Sequence, residues 1–409
     1  MHWLRRWWED AKRKPDTRYV DVCDGIRVMA IGVVAWFHIW QQSWLWPILH
    51  IGDHQINFDP IVRAGYLGVD IMILISGFCL YLPWAKLKPN EPAPNAMAFY
   101  KRRAARILPS YYLSVLVLFA LALIEGAYGG NTQRLARDLF SHLTLTHVFF
   151  YDTYYATFLN AGLWTIAIEV HFYLLFPWIA RLFRRSPFVT AFGMIAIALV
   201  FRRWVQMNIS DVGVYFNQLI AYLDVFAIGM LAAEIHVKCA HYERSTAWRL
   251  VSDALAILSI WGLVRLFRGQ ASCSGTEAIR LGQMERRLWI ALLGAGFLLG
   301  AANGGYLLRK LLGNPFTHYF ASISMQFYIW HQVLAVRILN AGLISSVYAD
   351  PNYMGDIVWQ RRYTLTCWLI ALAVASLLTY GFERPIAKYI LNGKTKRNEQ
   401  PEKRGENRV

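Results

Sequence analysis

An arginine and a histidine stand eleven residues apart in an otherwise apolar stretch, DVCDGIRVMAIGVVAWFHIW, residues 21–40. On a helix, Arg27 and His38 differ by only about 20° in direction and are separated by about 16 Å along the axis. They therefore share a face. Asp24 sits one turn before Arg27 on that face, in position to pair with it. An ionisable side chain inside a membrane span costs several kcal/mol unless it faces protein or water, so each marks a candidate functional site. Three other apolar stretches carry such groups. GYLGVDIMILISGFCLYL holds Asp70 and Ser76, GLWTIAIEVHFYLLFPW holds Glu169 and His171, and YFASISMQFYIWHQVLAV holds His331. Counted by helical rise, His38, Asp70, Glu169 and His331 are expected in one layer in the outer half of the bilayer. Glu169 and His171 are about 200° apart on a helix, so both cannot face one cavity, and Glu169 is assigned inward.

Histidine beside a carboxylate is the equipment of a general base, the carboxylate fixing the tautomer and stabilising the imidazolium. The same residues would serve a proton-coupled secondary transporter, or merely pair to hold helices together. A second concentration of charge is YKRRAARILPSYY, residues 100–112. Lys101, Arg102, Arg103 and Arg106 meet the foot of a span. Arg102 and Arg106 share a face and suit a phosphate. With Arg27 at the same level they form a candidate anion site below the histidine layer.

Positioning these groups requires a bundle of membrane helices. The chain has 409 residues, 56% of them hydrophobic, and a mean hydropathy of +0.30. Apolar runs of about 18–25 residues recur along its length, the pattern of a polytopic all-α membrane protein rather than a soluble domain. Ten spans are expected, near 22–42, 62–82, 106–124, 161–181, 187–205, 216–236, 251–267, 288–302, 316–340 and 363–382. The eighth is the shortest. Segment 139–150 is too short to cross and is expected to pack at the interface or re-enter. The 17 Trp and 22 Tyr suit the two bilayer surfaces. The net charge of +16 does not indicate nucleic acid, because the basic residues cluster at helix ends. They concentrate on the side of the two termini, which places both termini in the cytoplasm of a multi-pass protein of the cell (inner or plasma) membrane. Residues 1–21 read as an interfacial amphipathic segment, 22–390 as the transmembrane domain and 391–409 as a disordered tail. Five scattered cysteines show no paired spacing, so no disulfide framework and no metal site is expected.

In this order the motifs resemble the membrane acyltransferase 3 family, bacterial enzymes that O-acylate polysaccharides and other exported or lipid-linked acceptors. Arg27 to His38 is similar to its R-x10-H pattern, introduced by Asp24-Gly25 as in D-G-L-R. GYLGVDIMILISGFCLYL resembles G-x-x-G-V-D-L-F-F-V-L-S-G-F, and YKRRAARILPSYY resembles R-R-x-x-R-I-x-P. LWTIAIEVHFYLLFP resembles L-W-S-L-S-V-E-E-Q-F-Y-L-L-F-P, with Val170 and His171 replacing its second acid and Gln. ISMQFYIWHQVL is similar to I-S-Y-S-L-Y-L-x-H-x-P-V, with Gln332-Val333 in place of H-x-P, and YGFERPIAKY is similar to Y-x-x-I-E-x-P. Only a short tail follows the tenth span, so family members with a fused C-terminal esterase-like domain are expected to be poor guides. The resemblance implies an acyl-CoA donor, often acetyl-CoA, no permanently bound cofactor, and Arg27 with His38 as the catalytic pair. Joined to the reading of the residues, it gives a mechanism. Arg102, Arg103 and Arg106 take the donor's phosphates, and His38 acts as general base on an acceptor hydroxyl. Asp70 or Glu169 orients His38. Ser76, Trp164 and His331 are candidates for contacting the substrate or its oxyanion. The acceptor is a carbohydrate or a lipid-linked molecule, and both direct transfer and an acyl-histidine intermediate stay open.

Overall fold

The structure, a computed structural model, describes residues 20–239 and 245–392. The expected N-terminal anchor (apart from its last residues) and disordered tail (apart from its first two) lie outside the described residues. The fold is an all-α polytopic bundle. Its long helices are α1 (Val22–Ser43), α2 (Gly68–Ala85), α3 (Ala96–Ile124) and, after a short amphipathic α4 (Thr132–Leu143), α5 (Trp164–Arg185). There follow α6 (Pro187–Asn208), α7 (Leu223–Cys239), α8 (Thr246–Ala271), α9 (Thr276–Asn303), the short α10 (Tyr306–Leu312), α11 (Pro315–Asn340) and α12 (Ile357–Leu378). A π-helical turn, Thr379–Glu383, leads into α13 (Arg384–Asn392). A small exposed hairpin, Ile48–Ile51 with His54–Asn57, caps one end.

Eight helices among the described residues are long and apolar enough to cross a bilayer. The pair α9–α10, bent by 113°, is a ninth where it counts as one span, and α11 falls outside this group, so the number is below the ten expected. All ten expected spans are helical, with shifted edges. The largest shift is in the eighth, where α9 begins at Thr276, twelve residues before the expected start. Its first turns carry Arg280, Arg286 and Arg287, which lower local hydropathy. Each has protein partners: Arg280 pairs with Asp211 and Glu277, Arg286 donates to Gln270, and the buried Arg287 donates to the Phe216 and Ala221 carbonyls. The helix therefore continues through residues that read as a loop. Segment 139–150 does not cross. It ends α4 and packs on α3, the Tyr111 hydroxyl donating to the His142 carbonyl at 2.7 Å.

Small residues set the closest helix contacts. A Cβ on Gly229 of α7 would lie 2.2 Å from the Leu74 carbonyl oxygen of α2, and one on Gly77 would lie 2.6 Å from the Phe226 oxygen. Membrane helices associate through such close backbone approach, since lipid supplies little hydrophobic drive. This contact fixes α2 against α7, and α1 packs between α2 and α11. One end of the bundle, here called lower, gathers residues 21–27, 101–106, 312–318 and 383–391, linked by bonds such as His318–Asp24 and Lys101–Leu391. The upper end holds the hairpin and the Gln42–Asn352 contact.

Candidate active site

The packing of α1 on α11 brings two histidines into contact. His38 Nδ1 lies 2.9 Å from His331 Nε2. His331 Nδ1 lies 2.8 Å from the Tyr328 carbonyl oxygen and 3.0 Å from that of Phe327. A carbonyl oxygen only accepts, so the proton of His331 sits on Nδ1 and its Nε2 is an acceptor. His38 must then donate from Nδ1, and its Nε2 keeps a lone pair. The order of donors thus makes Nε2 the acceptor atom of the His38 ring. His38 lines an upper cavity of about 620 Å³. Phe37, Trp40, Tyr66 and Trp164 supply aromatic surface there, and Asn217 and Gln332 supply planar amides.

The expected layer of four ionisable groups separates into three places. Asp70 is fully buried and lies 3.6 Å from Arg287, which is equally buried. Arg287 also donates to the Phe216 carbonyl at 2.8 Å and lies 3.6 Å over the Tyr222 ring. A second buried pair, Arg202 with Asp224 at 2.6 Å, joins α6 to α7 beside it. Glu169 accepts from Ser76 at 2.6 Å and from Tyr173 at 2.8 Å, and it faces a lower cavity. Among the described residues no carboxylate touches His38 or His331. Where Asp70 or Glu169 was expected, the group in contact with His38 is His331. A proton relay built from this layer therefore lacks its acids. Both ring nitrogens of His331 are engaged, which leaves it no N–H for an oxyanion. Trp164 lines the upper cavity with His38, whereas Ser76 lines the lower one and donates to Glu169. His171 turns away, its Nε2 3.1 Å from the Leu145 carbonyl.

The lower cavity, about 250 Å³, is lined by Arg27, Arg103 and Arg106 together with Glu169. Arg27 and Asp24 approach to 3.7 Å, as their spacing predicts. An adjoining cavity of about 310 Å³ shares Arg103 and Arg106, adds Arg102, and is walled by Trp84, Phe99 and Phe176. The basic cluster and Arg27 thus line neighbouring cavities at the lower end. The lower and upper cavities have two wall residues in common, Val69 and Tyr328. A histidine thus lines an aromatic and amide-rich chamber, and Val69 and Tyr328 stand between that chamber and cation-lined space toward the opposite end.

Sequence reasoning passed over three elements of this region. Arg287 was hidden by its apparent place before a span. Glu383, in the quoted YGFERP segment, received no role. It is buried at the π-helical turn, where its Oε2 accepts from Gln326 at 3.1 Å, and Gln326 also donates to Ser110 at 2.6 Å. An acid inside an apolar closing segment was the available signal. Tyr328 is one of many tyrosines and carried no signal of its own.

Comparison with known proteins gives a concordant result. The family described as an acyltransferase domain, acyltransferase 3, matches residues 21–381. Nodulation protein 10 of Rhizobium leguminosarum bv. viciae is 25% identical over 348 residues, covering 78% of this chain and 84% of that protein. A putative acetyltransferase, ORF330, of Acidianus two-tailed virus is 22% identical over 316 residues, 77% of this chain and 83% of its own. The peptidoglycan O-acetyltransferase OatA of Listeria monocytogenes is 23% identical over 226 residues, 53% of this chain and 28% of that longer protein. No solved structure matches the chain. The family match runs through every segment that builds the two cavities, and the chain belongs to the acyltransferase 3 family as a multi-pass membrane acyltransferase.

Proposed function

We propose that the protein is an O-acetyltransferase that moves an acetyl group from acetyl-CoA to a hydroxyl of a carbohydrate or lipid-linked acceptor. The observation that supports the reading is His38, bonded through Nδ1 to His331 and lining one cavity, with a second cavity lined by arginines on the other side of Val69 and Tyr328. Relatives named peptidoglycan O-acetyltransferase support the acetyl donor and the carbohydrate acceptor. The upper cavity suits a sugar: aromatic faces stack on its C–H faces, and amides read its hydroxyls. Arg102, Arg103 and Arg106 suit the diphosphate and 3′-phosphate of CoA. The excess of Lys and Arg on the lower side supports a cytoplasmic donor, cytoplasmic termini and an acceptor reached from the outer side of the cell membrane, with lipids as neighbours.

In this reaction the acceptor hydroxyl gives its proton to His38 Nε2 as its oxygen attacks the thioester carbonyl carbon. The resulting imidazolium is held by the hydrogen bond from Nδ1 to neutral His331. Collapse of the intermediate breaks the C–S bond, and His38 returns the proton to the CoA thiolate. The products are an acetyl ester and CoA.

The test is purified protein with acetyl-labelled acetyl-CoA and a panel of neutral oligosaccharides. Base-labile label on a sugar, with release of one CoA per ester, is the expected result. A wild-type protein that neither binds nor turns over acetyl-CoA would end this reading.

A further inference from the structure

The donor and the base occupy different cavities, and the reaction joins them. His38 lines only the upper cavity, and Arg27, Arg103 and Arg106 line only the lower one and its neighbour. A thioester held from below meets His38 where the two spaces touch. Val69 and Tyr328 form that boundary. Val69 is aliphatic, so among the described residues Tyr328 brings the only side-chain hydrogen-bond donor common to both walls. Its side chain is buried, one helical turn before His331, with ring centroids 5.7 Å apart. Thr165, at the edge of α5, lines the lower cavity beside it, and its hydroxyl donates to the Gly162 carbonyl at 3.3 Å.

We infer that Tyr328 is a catalytic residue of the transfer, its phenolic O–H donating to the oxyanion that forms on the thioester carbonyl. This rests on the acetyl-CoA reading above. As the acceptor oxygen bonds to carbon, the carbonyl electron pair moves onto oxygen. The Tyr328 phenol donates to that oxygen. When the C=O bond re-forms and the C–S bond breaks, the contact weakens again and the phenol keeps its proton. His331 does not fill the role, because both of its nitrogens are already engaged. A donor that strengthens only as charge develops lowers the barrier without tightening substrate binding.

The experiment compares wild type, Tyr328→Phe, Thr165→Val and Val69→Trp as full-length protein in nanodiscs. Each is measured for acetyl-CoA affinity, single-turnover CoA release and thermal stability. Tyr328→Phe should lower the release rate by about 10²–10³-fold, the effect of removing one oxyanion donor, with affinity kept within threefold. Thr165→Val should keep the rate within about threefold, since the donor itself remains. Val69→Trp should bind acetyl-CoA and fail to release CoA. A Tyr328→Phe rate within threefold of wild type would overturn the proposal. Equal losses in Tyr328→Phe and Thr165→Val would also overturn it, by showing that the pair is a strut between α5 and α11. Free turnover in Val69→Trp would show that the thioester does not cross at this boundary. If wild type itself leaves acetyl-CoA intact, the broader reading fails rather than this one.

Discussion

Replacing His331 by Leu tests how the site makes a base. Two of its hydrogen bonds matter. The backbone carbonyls of Phe327 and Tyr328 hold the proton on its Nδ1, and its Nε2 accepts from His38. In the ground state that second bond is neutral, worth about 1 kcal/mol. When His38 takes the acceptor's proton the same bond becomes charge-assisted, worth about 1.5–3 kcal/mol. The difference, about 0.5–2 kcal/mol, acts only in the transition state and corresponds to about twofold to thirtyfold in rate. Leucine also leaves His38 free to carry its proton on either nitrogen, and the wrong tautomer presents no lone pair to the acceptor. Together these give a loss of about 10²-fold in the chemical step, smaller than the loss from removing the base itself. The assay is single-turnover release of CoA from saturating acetyl-CoA, with donor affinity measured in parallel. His331→Gln, whose amide oxygen can accept from Nδ1, should recover part of the rate. A His331→Leu enzyme within threefold of wild type would refute the reasoning, as would a loss seen only in donor affinity.

Other consequences follow from the same geometry. Arg103→Ala and Arg106→Ala should each weaken acetyl-CoA binding by about tenfold or more while leaving the single-turnover rate nearly unchanged. The wild-type affinity should fall with added salt, and equilibrium binding at two ionic strengths checks both statements. Asp70→Asn leaves Arg287 buried without its counter-charge and should cost about 3–5 kcal/mol of stability, visible as a large drop in melting temperature. The double variant Asp70→Leu/Arg287→Met should regain most of it, and a single variant that stays fully stable yet loses acyl transfer would make Asp70 chemical instead. At the membrane surface, burial would raise the Asp138 carboxyl, but bonds from His142, Thr157 and Tyr128 outweigh it and hold it below its usual range. A depressed folded-state value means stability that is present above the unfolded value and lost on acidification through the folded one. Wild type should therefore lose melting temperature more steeply below about pH 4 than Asp138→Asn, which has no proton to take up.

The parts of the site that lie along one helix were legible in the sequence, because helical geometry relates them directly. Arg27, Asp24 and His38 need only the rise and rotation of α1. The grouping of Arg102, Arg103 and Arg106 at the foot of α3 follows from their spacing in the same way. What failed was the assignment of partners between helices. Counting rises from one end gives a height for Asp70 and Glu169, but not the direction each faces. That direction depends on neighbours far along the chain: Arg287 for Asp70, and Ser76 for Glu169. Arg287 itself was misplaced because charge at the start of α9 lowers hydropathy, while buried pairing lets the helix form regardless. His331 was recognised at the right depth, yet its use as the partner of His38 rests on the crossing of α1 and α11. The family motifs were visible in order, but motifs do not say which atom of a histidine carries the proton.

The central claim is a division of labour: arginines at the lower end hold the donor, and His38 does the chemistry. The most direct measurement is a single-turnover comparison of wild type and His38→Ala with acetyl-CoA and an oligosaccharide acceptor, recording donor affinity and CoA release on the same samples. The account predicts an affinity within threefold of wild type and a release rate lower by about 10²–10⁴-fold. A His38→Ala protein that still releases CoA at close to the wild-type rate would contradict it.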